Sequence, residues 1–207
     1  MPSATSAATP GQAPRRTTPT PWSAAALAAA ARFWFIATVI GQLMFAAYIV
    51  ALYGGAAARG DFDAWNAVMS HGHVPGDGAG NVATGVHVLL AAILMLGGAL
   101  QLVPQVRHRA PRVHRWNGRI YLAGAVLAAL SGLYMLWWRG AVGDTAQHLG
   151  ISLNAVLVLV FAGLALKNVL RGDIAAHRRW ALRLFLAVSG AWFLRVGSMI
   201  WLAVNGG

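Results

Sequence analysis

The sequence contains no cysteine and no glutamate among its 207 residues. Without cysteine, disulfides, thiolate catalysis and cysteine-ligated iron–sulfur clusters are excluded. Since the five acidic residues are scattered aspartates, acid–base chemistry built on a pair of glutamates is excluded too. Charged residues make up only 10% of the chain, against roughly 25% in a soluble domain, and 58% of the residues are hydrophobic. This shortage of charge indicates that lipid is the main solvent of the protein.

Long apolar runs are abundant instead. Each run has close to the roughly 20 residues that a helix needs to cross a bilayer. Because the runs are continuous and not alternating, they predict helices, in which every backbone group is paired within the segment. The predicted fold class is therefore all-α, an integral membrane bundle of five helices. The spans are placed at about residues 33–55, 84–104, 118–138, 147–167 and 180–204.

Two domain-level segments follow from these runs. Residues 32–207 form the predicted transmembrane domain, and residues 1–31, rich in Pro, Ser, Thr and Ala, form a disordered cytoplasmic tail. The alanine-rich stretch Ala24–Ala31 is a candidate start for a helix that runs into the first span. The first span itself carries no ionisable residue and is interpreted as an added anchor.

Basic residues determine the predicted orientation. They cluster between spans two and three and between spans four and five, so the positive-inside rule places both segments in the cytoplasm. With five spans, the amino terminus is then cytoplasmic and the carboxyl terminus is outside. The predicted location is the bacterial inner membrane, with the lipid bilayer as partner. Since topology explains the net charge of +11, nucleic acid is not a predicted partner. The two basic segments contain Arg107, Arg109, Arg112, Arg115 and Arg119, and Lys167, Arg171, Arg178, Arg179 and Arg183.

A two-helix unit occurs twice in the sequence. His87 begins one copy and is followed after 27 residues by His114; His148 begins the other and is followed after 29 residues by His177. In each copy an apolar helix and a basic turn separate the histidines, and each second histidine precedes an Arg-Trp pair. Spans two and three and spans four and five are therefore predicted to be a duplicated hairpin in parallel orientation.

This repeat sorts the histidines into two layers. His87 and His148 form the predicted outer layer, and His114 and His177 form the inner layer. Arg195 lies 18 residues, or about 27 Å, beyond His177, which brings it near the level of the outer layer on the same helical face. A charge at this depth is expected to face the bundle interior or a wet cavity.

The leading functional hypothesis is a membrane b-type cytochrome with one or two haems b, held by these paired histidines and carrying electrons across or within the inner membrane. Haem iron takes axial histidine ligands, and bundles build cofactor sites from facing helices. Arg119, Arg183 and Arg195 are the candidate partners of the haem propionates. The electron donor and acceptor, an enzymatic activity and the oligomeric state stay open.

Two alternatives stay beside it. One is a haem-free transporter or lipid-interacting protein whose polar cavity contains Arg195 and the outer histidines, and the other is a structural membrane subunit. The inner histidines lie in Arg- and Trp-rich edges of the kind that bind lipid headgroups. In the loop at about residues 56–83, His71 and His73 near three aspartates are candidate metal ligands, although such residues in a Gly-rich loop are more often solvated.

The basic blocks resemble a bacterial family of predicted membrane proteins of unknown function, over about residues 33–200. The layout of one histidine on each of four successive helices is also similar to diheme transmembrane cytochromes b, of which the ascorbate-reducible type is nearest. That similarity implies haem ligands at all four histidines, although this chain has five spans instead of six. The family resemblance rests on His87, Pro104-Gln105-Val106-Arg107, His114-Arg115-Trp116-Asn117-Gly118-Arg119, His177-Arg178-Arg179-Trp180, Arg183 and Arg195.

Overall fold

The computed structural model describes residues 21–140 and 144–205, and within these ranges the chain is helical without strands. A π-helical turn, Val50–Gly54, follows the first helix, and a 3-10 helix, Phe62–Ala67, lies in the loop after the second. The α-helices are α1 (Pro21–Ile49), α2 (Gly55–Ala58), α3 (Gly78–Leu102), α4 (Pro104–Arg109), α5 (Pro111–Arg139), α6 (Thr145–Leu170) and α7 (Ile174–Asn205).

Five helical segments are long and apolar enough to cross a membrane, which confirms the predicted five-helix membrane fold. Large apolar side chains lie on their outer surfaces: Leu89, Leu149 and Leu153 are each 61% exposed. In water such exposure would be costly, whereas lipid tails solvate these side chains. The segments are Trp22–Ala58, Gly78–Leu102, Pro111–Arg139, Thr145–Leu170 and Ile174–Gly197.

Most of the helices extend beyond the predicted spans because capping residues, not apolar runs, determine where they begin. The Asp77 side chain accepts a hydrogen bond from the Gly80 amide at 2.9 Å, and Asp144 and Asp173 cap α6 and α7 in the same way. Pro111 occupies the start of α5, where the missing N–H costs nothing. At the other end of α5, Gly140 adopts a left-handed conformation and stops the helix.

The first helix begins at Pro21, so residues 21–31, which the domain prediction gave to the tail, are helical, as the stretch Ala24–Ala31 indicated. Residues 1–20 of that tail lie outside the described residues. The chain has two compact units, Met1–Thr38 and Val39–Gly207. The packing described below concerns the second unit.

In this unit α3 packs mainly against α5, and α6 against α7, while α5 and α6 join the two pairs. Each predicted two-helix unit is thus an antiparallel hairpin; their common origin stays a prediction. We call the end with the loop Arg59–Asp77 the loop end, and the end with α4 and the α6–α7 turn the basic end. The positive-inside rule predicts that the loop end lies outside and the basic end in the cytoplasm.

The later part of the first helix contacts α7 closely. Gln42 is 1% exposed and donates a hydrogen bond to the equally buried Ser189 hydroxyl at 2.8 Å. One residue earlier, a Cβ on Gly41 would overlap the Trp192 ring, so glycine is needed for this approach. The later part of the first helix, which was interpreted as an added anchor, thus also makes a buried polar contact with α7.

Candidate functional site

A cavity of about 510 Å³ lies in the half of the bundle nearer the loop end. Its wall is mostly apolar and comes from the end of the first helix, the loop after it, and helices α3, α5, α6 and α7. Ligand sites commonly combine such an apolar wall with a few convergent polar groups. The side chains that bring polar atoms to this wall are Tyr48, Tyr53, His87, Gln147, Asn154 and Arg195.

His87, from α3, has a fixed tautomer. Its Nδ1 lies 3.0 Å from the carbonyl oxygen of Ala128 and 3.1 Å from the Ser131 hydroxyl, both on α5. A carbonyl oxygen only accepts hydrogen bonds, so Nδ1 carries the proton and donates it to Ala128. In the neutral form of the imidazole, the lone pair is then on Nε2, in a side chain that lines the cavity.

Gly132 makes room for this imidazole. A Cβ at Gly132 would lie 3.0 Å from His87 Cε1, closer than an ordinary contact, so any larger residue would press on the ring. His87, Gly132 and Asn154 also line a second cavity of about 170 Å³, toward the middle of the bundle. The histidine therefore lies where the two cavities meet.

Arg195, on α7, lines the larger cavity together with His87. Its side chain is half-buried and lies within electrostatic reach of Tyr53. Among the described residues no aspartate forms an ion pair with it, since the ion pairs present are His73–Asp63 and Arg139–Asp77. The cavity thus contains a guanidinium whose charge no carboxylate of the described chain neutralises.

The structure does not bring His148 into the cavity wall with His87. Along α6 the wall is formed by Gln147, Gly150, Ile151 and Asn154, which share one helical face. His148 lies about 100° round from Gln147 and packs edge-on against the Trp137 ring of α5, with ring centroids 5.4 Å apart. The predicted outer pair therefore has one member in the cavity and one beside it.

The inner histidines, His114 and His177, lie at the basic end as predicted, near enough to interact electrostatically. His177 Nδ1 donates to the Ala165 carbonyl oxygen on α6 at 2.9 Å. His114 is held through its backbone, because its carbonyl accepts a hydrogen bond from the Gln101 side chain at 2.9 Å. The His114 Nδ1 atom is buried and has no partner in the described part of the chain.

Two of the three predicted propionate partners lie on the outside of the bundle. Arg119 covers the Trp116 ring at 5.1 Å, and Arg183 covers the Trp180 ring at 4.3 Å, each one turn along its own helix. Both arginines are exposed. These are cation–π contacts at a membrane edge, so of the three only Arg195 lies in the cavity.

Several polar residues of the cavity wall were missed by sequence reasoning. Asn154 had a signal, since a side-chain amide inside an apolar run is expensive in lipid and usually has a role. Tyr48 and Tyr53 had none, because tyrosine near the end of a span is normal anchoring. The π-helical turn that contains Tyr53 has no clear sequence signature either, although such turns are frequent at functional sites.

The candidate metal loop is held together by internal hydrogen bonds. His73 Nδ1 lies 2.9 Å from Asp63, the His73 ring stacks near Phe62, and Asn66 bonds the His73 backbone at both its N–H and carbonyl. His71 is exposed. In the described ranges no three His or Asp side chains lie together in a way that would hold a metal. Val68 and Met69 of this loop form part of the cavity wall.

Comparison with known proteins gives one match. The model of the family described as "Predicted membrane protein (DUF2306)" matches residues 84–207. The chain belongs to this family. No curated protein and no solved structure matches it significantly. The match confirms the resemblance to a membrane protein family of unknown function, but it begins at Thr84, so the first helix and the loop after it lie outside the matched region.

Proposed function

We propose that this DUF2306 protein is a b-type haem protein of the membrane, with haem b bound in the larger cavity by His87 and with electron transfer as its role. The observation that carries the proposal is the hydrogen bond from His87 Nδ1 to the Ala128 carbonyl oxygen. Metal-ligating histidines almost always donate their second ring nitrogen in this way, which fixes the tautomer and leaves Nε2 for the metal. Haem bound there would supply one-electron chemistry.

The cavity also has the size and charge that the proposal needs. Ligand sites have volumes of about 300–1,000 Å³, and this cavity of about 510 Å³ falls within that range. Small residues in its wall, Ala91, Gly132, Gly190 and Ala191, leave space near His87. Arg195 offers a cation for a propionate, and guanidinium matches the geometry of a carboxylate.

The proposal differs from the two-haem prediction in its ligand set. One imidazole lines the cavity, since His148 packs on Trp137 instead. A second axial ligand from His148, and a second haem on His114 and His177, stay predictions. Arg119 and Arg183 lie over their own tryptophans and are not part of the proposed site.

The second candidate is a haem-free protein that binds or transports an anionic amphiphile in the same cavity. It is favoured by one observation: Arg195 lies in a mainly apolar cavity without an acidic partner in the described chain. An amphiphile with an apolar body and a carboxylate or phosphate head would neutralise this charge and cover the apolar wall. The amide of Asn154 and the phenol of Tyr53 would then position the head.

A visible spectrum separates the two candidates. The protein is produced in cells well supplied with haem, purified in detergent, and its reduced-minus-oxidised spectrum recorded. We expect a haem b signal that His87→Ala abolishes and the matched control His148→Ala leaves largely intact. Absence of the signal from the unaltered protein would refute the haem proposal and leave the amphiphile candidate. Equal loss in both variants would instead support the predicted pair of axial histidines.

A further inference from the structure

The basic end holds a second site that the haem proposal does not use. His114, near the start of α5, lies within electrostatic reach of Arg107, Arg115, His177 and Arg178, which come from three different helices. Three of these groups are guanidinium cations, and their convergence is unfavourable unless an anion neutralises it. The nearest acidic residue in sequence, Asp173, is already used as the cap of α7 and accepts a hydrogen bond from the Ala176 amide.

Packing explains why these residues converge. Helices α3, α5 and α7 meet at Gly98, where a Cβ would lie 3.0 Å from Tyr121 and 3.1 Å from Phe185. His114 is seven residues before Tyr121, and Arg178 is seven residues before Phe185. Seven residues are almost two full turns, so each lies about 10 Å nearer the basic end on the same helical face as its aromatic neighbour. The contact at Gly98 thus directs His114 and Arg178 toward each other.

Two polar atoms in this region are buried without a partner. They are Nδ1 of His114 and Nε of Arg107, the latter on the short helix α4 that packs against α5. Both residues are only half-buried as wholes, so the region is open to solvent or lipid headgroups on one side. Buried donors without acceptors are rare in folded proteins and often mark the place of an unseen ion.

We propose that Arg107, His114 and Arg178 bind a phosphate group at the basic end. Its source is either the headgroup of an anionic phospholipid or a soluble phosphate, and the chemistry is shared. Phosphate oxygens would accept from the guanidinium groups of Arg107 and Arg178 and from the His114 imidazole, while Arg115 adds positive charge nearby. Basic sites between transmembrane helices on the cytoplasmic side are known to hold anionic headgroups. This proposal does not depend on haem binding in the other half.

The test compares two pairs of arginines at the same end of the bundle. Protein purified in detergent is titrated with phosphatidylglycerol, and in a separate arm with inorganic phosphate, and binding is followed by native mass spectrometry for the lipid and by calorimetry for the ion. The test variant is Arg107→Gln with Arg178→Gln. The matched control, Arg109→Gln with Arg171→Gln, removes the same charge from exposed positions of the same end.

We expect the test variant to bind its phosphate ligand at least about tenfold more weakly, and the control to change by less than about threefold. Tight binding in the lipid arm alone identifies a headgroup site, and binding in the ion arm identifies a soluble phosphate site. Equal weakening in both variants would show general surface attraction and overturn the proposal, as would the absence of binding in both arms. The single variant His114→Gln, with thermal unfolding to verify its fold, should weaken binding in the same arm.

Discussion

The two ends of the bundle differ in the burial and in the partners of their arginines. At the loop end, Arg139 is 8% exposed, donates to Thr84 and Asn81 at 3.2 and 3.1 Å, and lies 3.7 Å from Asp77. Asp77 in turn caps α3. At the basic end most of the arginines are exposed, and Arg119 and Arg183 lie over tryptophan rings. The loop end thus holds its buried arginine through groups of the chain itself, whereas the basic end presents most of its arginines to the surroundings.

This difference shows which end is built to be closed. Internal hydrogen bonds join the loop to α3 and α5, since Asn81 bonds both backbone groups of Val74 as well as Arg139. The loop therefore holds Val68 and Met69 against the cavity without outside help. The basic end has one acidic residue, Asp173, so the anion of the proposed phosphate site would come from outside the chain.

The largest expected effect concerns which side of the membrane each end of the bundle faces. The chain has no native cysteine. A single cysteine at Ser70 therefore reports the accessibility of the loop end, and a single cysteine at Arg171 reports that of the basic end. Ser70→Cys should react with a membrane-impermeant maleimide in intact spheroplasts, and Arg171→Cys only after the membrane is opened. The reverse pattern would show that the predicted orientation is wrong.

A smaller effect is expected from removing one arginine at each end. Arg139→Met leaves Asp77 without its cation and removes two hydrogen bonds of a buried charged group. We therefore expect the free energy of unfolding to fall by about 1–3 kcal/mol. Arg119→Met removes an exposed cation–π contact and should cost less than about 1 kcal/mol. Thermal unfolding in detergent measures both. Similar losses would mean that the loop end is not the more tightly bonded of the two.

The smallest effect compares two glycines, each within a helix. In Gly132→Ala the new methyl group presses on the His87 ring. We expect the free energy of unfolding to fall by about 1–3 kcal/mol and the cavity to bind its ligand more weakly. Gly163→Ala has no atom within 4 Å of the new methyl group and should be neutral or stabilising by up to about 1 kcal/mol. Unfolding temperature and the visible spectrum check both variants. A neutral Gly132→Ala would show that the imidazole moves freely.

The sequence predicted the fold because lipid imposes a simple rule. Each span had to be an apolar run of about twenty residues, and each of the five runs overlaps one of the five long helical segments over most of its length. Helix starts were missed by several residues, since Asp77, Asp144 and Asp173 act through local hydrogen bonds that hydropathy does not detect. The short helices in the loop carry no such pattern at all.

The candidate site was predicted only in part. Histidine and arginine inside a span are rare enough to stand out, and His87 and Arg195 do meet in one cavity. Whether His148 faces the same cavity depends on the rotation of α6 about its axis, and a difference of about 100° separates it from Gln147. Sequence spacing gives depth along a helix much more reliably than the direction in which a side chain points.

The π-helical turn Val50–Gly54 gives the end of the first helix a tolerance in length. A π turn closes its hydrogen bonds one residue later than an α turn, so it holds one residue more than the regular helix would. In a regular helix an added residue would rotate everything beyond it by about 100°, and the wider turn absorbs that residue instead. Deleting one codon here is therefore expected to restore regular α-helix while α2 and the loop keep their places. The turn can thus change in length by one residue without moving the part of the cavity wall that follows it.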